Sequence, residues 1–385
     1  MLAKFQYIEK TSELEDFAKS LLSEKIVAFD TEADSFYHYF DKTCLVQAAT
    51  RRRVFLIDPI ALGGPAKLAP LGPIMASPAI RKIFHAAEYD LFVLKRDCGF
   101  TFRNLFDTMI SAQLLGYSAL GLGALVERHF EVSLPKDEQR SDWSARPLRS
   151  NQLEYAAADV SYLIRLAEKL ERELRKANRE HWAEEEFELL RQREWGDRSF
   201  DEFGYLRIKG ARRMDPEALS VLRELFLWRD ARAREMDRPP FKILGNRSLV
   251  EIAQLAPSSQ QELTEIKGVT ELILRRYGRD VLAAVAKGHK KPHGPLPKPE
   301  GGGRRRMDRH TERRLLQLKR WRQDRAKEIT LDPGVLCPNS TLEAIAWGNP
   351  QNRDELASTA GVKAWFARDF GEEVLQIFKA NDDSS

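Results

Sequence analysis

Asp30-Thr31-Glu32 closes a run of four apolar residues, Ile26-Val27-Ala28-Phe29. The run reads as a buried strand in a layered α/β core. Residues i and i+2 of a strand share a face, so Asp30 and Glu32 project together. Two carboxylates at the end of a buried strand repel one another, and burial raises the cost of both charges. A divalent cation relieves the conflict, and magnesium takes oxygen ligands from one or two carboxylates, waters and substrate phosphates. The alternative is a strand that runs out into a charged loop, because D-x-E alone is a weak pattern.

Two further segments offer acids that could answer this pair. In Ile83-Phe84-His85-Ala86-Ala87-Glu88-Tyr89-Asp90 an acid follows a short apolar stretch at a helix start. Asp90 reads equally as an ordinary helix N-cap, and Glu88 competes with it. In Tyr155-Ala156-Ala157-Ala158-Asp159 the tyrosine and the aspartate are four apart, which puts them on one face of a helix. The three alanines allow that helix to approach a sheet closely. An ordinary helix surface is the alternative there.

The elements that must position these residues follow from pattern. Strands are expected at 5–8, 26–30, 44–49, 54–57 and 83–84. A capping box formed by Ser12 and Glu15 opens a helix running to about Leu22. Helical spacing covers 90–96, 107–115, 121–130 and a long stretch from Asn151 to Asn178. Residues 33–43 form a loop beside the acids, and 131–149 a second loop. Strands first, then strands alternating with helices, give an α/β domain. From Pro216 onward only helix is expected, and a tract rich in proline and glycine from Gly288 to Gly303 reads as a linker. Trp228-Arg229, Asn246, Leu249, Ala253, Pro257, Leu263, Gly268-Val269 and Gly278 recur at one constant spacing as Trp321-Arg322, Asn339, Leu342, Ala346, Pro350, Leu356, Gly361-Val362 and Gly371. That regularity marks a duplicated helical module.

Composition narrows the function. The 385 residues are 43% hydrophobic and 31% charged with a net charge of +4, so a nucleic-acid footprint must be local. Three widely spaced cysteines exclude a disulfide framework or a cysteine-rich zinc site and fit a reducing cytosol. Neither a membrane-spanning run nor a signal peptide is visible, which points to a cytoplasmic protein. There is no P-loop, so no ATP is expected. Nine arginines and two lysines crowd the stretch from Arg304 to Lys327. They form either a solvated helix face or a track for phosphates.

The order D-x-E, then a lone Asp, then Y-x-x-x-D resembles the DEDD superfamily of 3′→5′ exonucleases in its tyrosine branch. Leu122-Gly123, Leu134-Pro135, Gln139-Arg140-Ser141-Asp142-Trp143 and Arg207-Ile-Lys-Gly-Ala-Arg212 bring the likeness to the ribonuclease D family. Trp228-Arg229, Asp237-Arg238-Pro239-Pro240-Phe241 and Leu244-Gly245-Asn246 resemble the helicase-and-RNase-D C-terminal (HRDC) domain. The second copy departs from that pattern, with Pro338-Asn339 at the Gly245-Asn246 position and no Arg-Pro-Pro-Phe tract.

The resemblance implies a ribonuclease H-like α/β exonuclease domain, a mixed sheet flanked by helices, followed by two all-α HRDC domains. The expected boundaries are 1–178 for the exonuclease, 179–212 for a helical or irregular connector, 213–287 and 307–385 for the HRDC copies, and 288–306 for the linker. It further implies that Asp30, Glu32, Asp90 and Asp159 hold two divalent ions, Mg²⁺ or alternatively Mn²⁺, and that Tyr155 orients the attacking water. The expected partner is RNA with a free 3′ end, tRNA precursors by analogy, shortened one nucleoside 5′-monophosphate at a time. His85 either touches the substrate or is structural, and Trp143 either stacks on a base or packs the core. Arg304, Arg305 and Arg306 are candidate nucleic-acid contacts. A DNA exonuclease and a non-catalytic nucleic-acid-binding protein are the competing readings.

Overall fold

The computed structural model describes residues 4–195, 200–290 and 307–382, with side chains as far as 378. The chain packs as two units, one made of residues 1–32, 43–195 and 305–385, the other of 33–42 and 196–304.

The first unit is organised on a six-stranded sheet. Its strands are β1 (Phe5–Ile8), β2 (Ile26–Ala33), β3 (Thr43–Ala49), β4 (Val54–Ile57), β5 (Arg81–Phe84) and β6 (Leu105–Asp107). They lie in the order β1-β4-β3-β2-β5-β6. β3 runs antiparallel to β4, whereas β1–β4, β2–β5 and β5–β6 are parallel pairs. Both faces are covered, as the near-continuous apolar strands require. Val27 and Phe29 of β2 pack with α1 (Thr11–Leu21), α2 (Gly72–Ala76) and α3 (Glu88–Cys98). Ala28 joins the opposite core with α4 (Thr108–Leu114), α5 (Leu122–Phe130), α6 (Ser150–Ser161), α7 (Leu163–Lys176) and α8 (Glu180–Gln192). Asp30 and Glu32 share the parity of Ala28, so the strand's alternation aims both acids to the α6 side.

Three local expectations change. α1 begins at Thr11 with Lys10 as its N-cap and no side-chain cap, so the Ser12–Glu15 capping box is not formed. The long helix is two helices: Tyr162, at φ −105° and ψ −9°, separates α6 from α7. Beside the break the Ser161 hydroxyl donates to the Ala157 carbonyl at 2.5 Å, the i−4 bond that bends helices. Third, residues 33–42, expected within the exonuclease domain, belong to the second unit. There the Asp237 carboxylate accepts from the Tyr39 and Phe40 amides at 3.0 and 3.1 Å and pairs with His38 at 2.7 Å.

The second unit also holds α9 (Pro216–Glu235), α10 (Pro240–Ile243), α11 (Asn246–Leu255), α12 (Gln260–Thr264) and α13 (Glu271–Lys290). The first unit carries α14 (Arg309–Glu328), α15 (Pro333–Leu336), α16 (Asn339–Gly348), α17 (Arg353–Ala357) and α18 (Ala364–Asp382), each beginning 93 residues after its counterpart. The shared Trp-Arg pair has a structural use. Arg229 donates to the Leu244 carbonyl at 2.9 Å, and Arg322 donates to the equivalent Cys337 carbonyl at 2.6 Å.

α8, in the segment expected as a connector, is the platform on which α18 docks. Trp182 and Trp365 stack with ring centres 4.4 Å apart, and the Trp182 indole donates to Asp369 at 2.6 Å. Glu185 accepts the Ala364 and Trp365 amides at 2.6 and 2.7 Å, capping the start of α18. On α4's side, Gly116 has φ +80°, and a Cβ there would fall 1.8 Å from the Thr330 carbonyl oxygen. Trp365 is 2% exposed. Trp365→Ala is therefore expected to destabilise the first unit by about 3–5 kcal/mol, read as a lower urea midpoint. A loss no larger than that of an ordinary surface substitution would show that α18 docks by other contacts.

Candidate active site

Three elements converge at one end of the sheet. β2 delivers Asp30 and Glu32, α6 delivers Tyr155 and Asp159, and α3 delivers Asp90. Asp30, Glu32 and Asp159 each present a carboxylate oxygen within 4.8 Å of the others, a group able to hold a metal ion. α6 reaches this position because Ala156 and Ala157 are buried on its inner side, so small side chains let the helix lie close. Trp143, 1% exposed, packs its ring 6.0 Å from that of Tyr155. It is a core residue that backs the tyrosine, not a surface on which a base could stack.

Asp90 arrives from the other face. It is the third residue of α3, whose N-cap is Ala87, so the N-cap reading of Asp90 does not hold. Its carboxylate is 6% exposed and accepts from the Thr31 hydroxyl at 2.5 Å. Thr31 lies between the two acids of β2, which ties Asp90 to them through one side chain. Glu88, the competing acid, faces away and pairs with Arg193 at 2.7 Å.

The electrostatics are those of like charges crowded out of water. Burial first, then the charges of Asp90, Asp159 and Glu32, hold the Asp30 carboxyl well above the usual carboxylate range. Burial, with Asp159 and Asp90, does the same to Glu32. Burial pushes Asp90 and Asp159 up to about 7, against hydrogen bonds from Thr31 and Tyr155 respectively. The Tyr155 hydroxyl is driven above its ordinary value by burial and by the neighbouring carboxylates, so it stays protonated and donates to Asp159. Among the described residues no lysine, arginine or histidine is ion-paired with any of the four acids. Four hard oxygen donors without a cationic partner fit a divalent ion.

Asp30, Glu32 and Asp159 open into a cleft of about 450 Å³, with His85, Lys136 and Gln139 also on its walls. The His85 ring lies 2.9 Å from the Thr108 hydroxyl, which itself donates to the Phe84 carbonyl at 3.1 Å. That fixes Nδ1 as the protonated nitrogen, and burial pushes the ring's pKa down to about 4, so His85 is neutral. His85 thus has a structural partner and also faces the cleft. Arg304, Arg305 and Arg306 lie outside the described residues. Farther along the basic tract, Arg314 donates to the Ala346 carbonyl at 2.9 Å, and Arg325 pairs with Glu328 and Glu373. With Arg322 at Cys337, at least three of these cations serve packing. Sequence reasoning passed over Asp107, which is wholly buried beside the site. Its signal was an acid just ahead of a helical stretch.

A raised carboxylate pKa in the folded state favours folding at low pH, and the benefit is lost as pH rises through the folded value. The metal-free protein should therefore lose stability between the ordinary carboxylate range near 4 and about 7. Asp159→Asn should remove part of that slope and stabilise the chelated protein at pH 8 by roughly 2 kcal/mol. Thermal melts in EDTA at pH 5.5 and 8 check this. Parallel curves for the wild type and the variant would contradict it.

Residues 5–175 match the family model of the 3'-5' exonuclease, and residues 218–285 and 311–378 each match that of the HRDC domain. Ribonuclease D of Desulfotalea psychrophila is 30% identical, covering 88% of this chain and 89% of that protein. Ribonuclease D of Gluconacetobacter diazotrophicus is 33% identical over 77% of this chain and 75% of that protein. Among solved structures, Escherichia coli RNase D, an exoribonuclease involved in structured RNA processing, superposes with a TM-score of 0.70 at 26% identity. That match covers 98% of this chain and 99% of the other.

Proposed function

We propose, for a chain that belongs to the ribonuclease D family of 3′→5′ exoribonucleases, that hydrolysis takes place at the cleft of Asp30, Glu32, Asp90 and Asp159. The substrate is RNA with a free 3′ end, tRNA precursors among them, shortened by one nucleoside 5′-monophosphate per cycle in the cytoplasm. Among the described residues no helix is long and apolar enough to cross a membrane, and the three cysteines are free, in keeping with that compartment. The observation that carries the reading is the set of three carboxylates within 4.8 Å of one another, joined by Asp90 through Thr31 and left without a basic partner.

The four acids would hold two divalent cations, Mg²⁺ or Mn²⁺, which supply the Lewis acidity that makes water a nucleophile and neutralise the phosphodiester. Tyr155 keeps its proton, which rules it out as a base. Its hydroxyl, anchored on Asp159 and backed by Trp143, orients a water beside the acids. His85 is neutral and leaves Nε2 as a hydrogen-bond acceptor on the cleft wall. A cleft of about 450 Å³ suits one terminal nucleotide rather than a duplex, which favours stepwise removal from an end. Arg304, Arg305 and Arg306, with the exposed cations of α14, are assigned to the RNA phosphate backbone.

Asp30→Asn and Asp159→Asn keep side-chain shape and remove ligand charge, so each should abolish cleavage of a short single-stranded RNA while the fold persists. Tyr155→Phe should lower kcat by roughly 10²-fold with little change in KM. Undiminished turnover by Asp30→Asn, or cleavage in excess EDTA, would overturn the assignment. RNA and DNA oligomers of one sequence, compared with Mg²⁺, separate the ribonuclease from a DNA exonuclease.

A further inference from the structure

We infer that Asp107 is a positioning residue of this active site: from outside the cleft, its carboxylate holds the turn that launches α3 and so sets the place of Asp90. The inference rests on the proposed role of Asp90 as a metal-holding acid.

Asp107 is the last residue of β6, and it sits opposite Phe84, the last residue of the parallel strand β5. It is wholly buried, and its two oxygens accept four backbone amides. Met109 and Ile110 donate to Oδ1 at 2.8 and 3.0 Å, which makes Asp107 the N-cap of its own helix, α4. The Ala86 amide reaches Oδ1 at 3.3 Å and the Ala87 amide reaches Oδ2 at 2.7 Å. Those two residues form the turn between β5 and α3. One buried carboxylate therefore caps α4 and also holds the two amides just ahead of α3, about 20 residues earlier in sequence.

The second of these contacts is the unusual one. α3 starts after Ala87 with no side-chain cap of its own, and Asp107 fixes the turn residues Ala86 and Ala87 that lead into it. The turn is also strained. Ala86 sits at φ +59°, a left-handed conformation that costs an L-residue about 1–2 kcal/mol. Such strain persists only where surrounding contacts over-determine it. The contacts are Asp107 on Ala86 and Ala87, and the neighbouring Thr108 on His85. Asp90 follows three residues after Ala87 within the first turn of a rigid helix, so a shift of the launch point is carried straight to its carboxylate. His85 and Ala86, both on the cleft wall, move with the same turn.

Asp107→Ser in the full-length protein separates the cap of α4 from the hold on the turn before α3. Serine still caps α4, but its shorter side chain cannot reach across to Ala86 and Ala87. Mn²⁺ binding by titration calorimetry should weaken about 10–100-fold, as for other residues that orient metal ligands. kcat on a single-stranded RNA should fall with it, and KM should hold. Adding Ala86→Gly, which makes the left-handed turn free of Cβ strain, should recover part of the Mn²⁺ affinity. Wild-type Mn²⁺ affinity and kcat in Asp107→Ser would overturn the inference, as would a double variant that recovers nothing. Asp90→Asn serves as the reference: if it binds Mn²⁺ like the wild type, the role proposed for Asp90 fails instead. Should Asp107→Ser not fold, hydrogen exchange on the unaltered protein decides. Ala86 and Ala87 amides as protected as those of β5 support the inference, and exchange at free-loop rates overturns it.

Discussion

Four carboxylates that repel one another, gathered half-buried or buried at one end of the sheet, are the constraint on which the rest of the first unit depends. Each acid raises the cost of ionising the next, and among the described residues no basic side chain is paired with any of them. Left to itself such a group would protonate or splay apart. The surrounding packing prevents the splaying. A sheet covered on both faces fixes β2, buried alanines fix α6, Trp143 backs Tyr155, and Thr31 ties Asp90 to the strand between its two acids. The fold thus holds together electrostatic strain that a divalent cation would release.

The helical modules enter that picture differently. The second module is docked on the exonuclease side of the chain through the Trp182–Trp365 stack and the Glu185 cap of α18, with large aromatic area and a buried polar handle at one contact. The first module packs in the other unit with residues 33–42, the segment that follows directly on the acid-bearing strand. Two copies of one helical plan therefore have separate surroundings. The Trp-Arg pair retained in both serves the internal packing of each, through Arg229 on Leu244 and Arg322 on Cys337.

Local spacing made much of this readable in advance. Asp30 with Glu32, and Tyr155 with Asp159, are i, i+2 and i, i+4 pairs whose shared face follows once strand and helix are recognised. The α/β character of the first domain and the helical repeat were legible from pattern as well, whereas the mixed sheet followed only from the family resemblance. What failed was what depends on distant partners. Asp90 looked like a helix cap because the helix starts two residues earlier, after a turn held by Asp107 on another strand. The capping box at Ser12 was not used because the helix had already begun at Thr11. The basic run looked free to meet phosphates, yet Arg314, Arg322 and Arg325 turn back on carbonyls and acids of their own module. Amphipathic pattern shows that α8 and α18 each bury a face, but not that they bury it against each other.

The most direct test of a cluster held together by exchange of protons for cations is the proton count on metal binding. Titration of Mn²⁺ into the full-length protein near pH 6.5, repeated in buffers of different ionisation enthalpy, gives that count. Because Asp90 and Asp159 titrate near 7 and Asp30 and Glu32 lie well above the usual carboxylate range, about one proton or more should leave per protein, fewer as pH rises. Binding with no proton release at pH 6.5 would mean that the acids are already ionised without metal, and the strain placed at the centre of this structure would not exist.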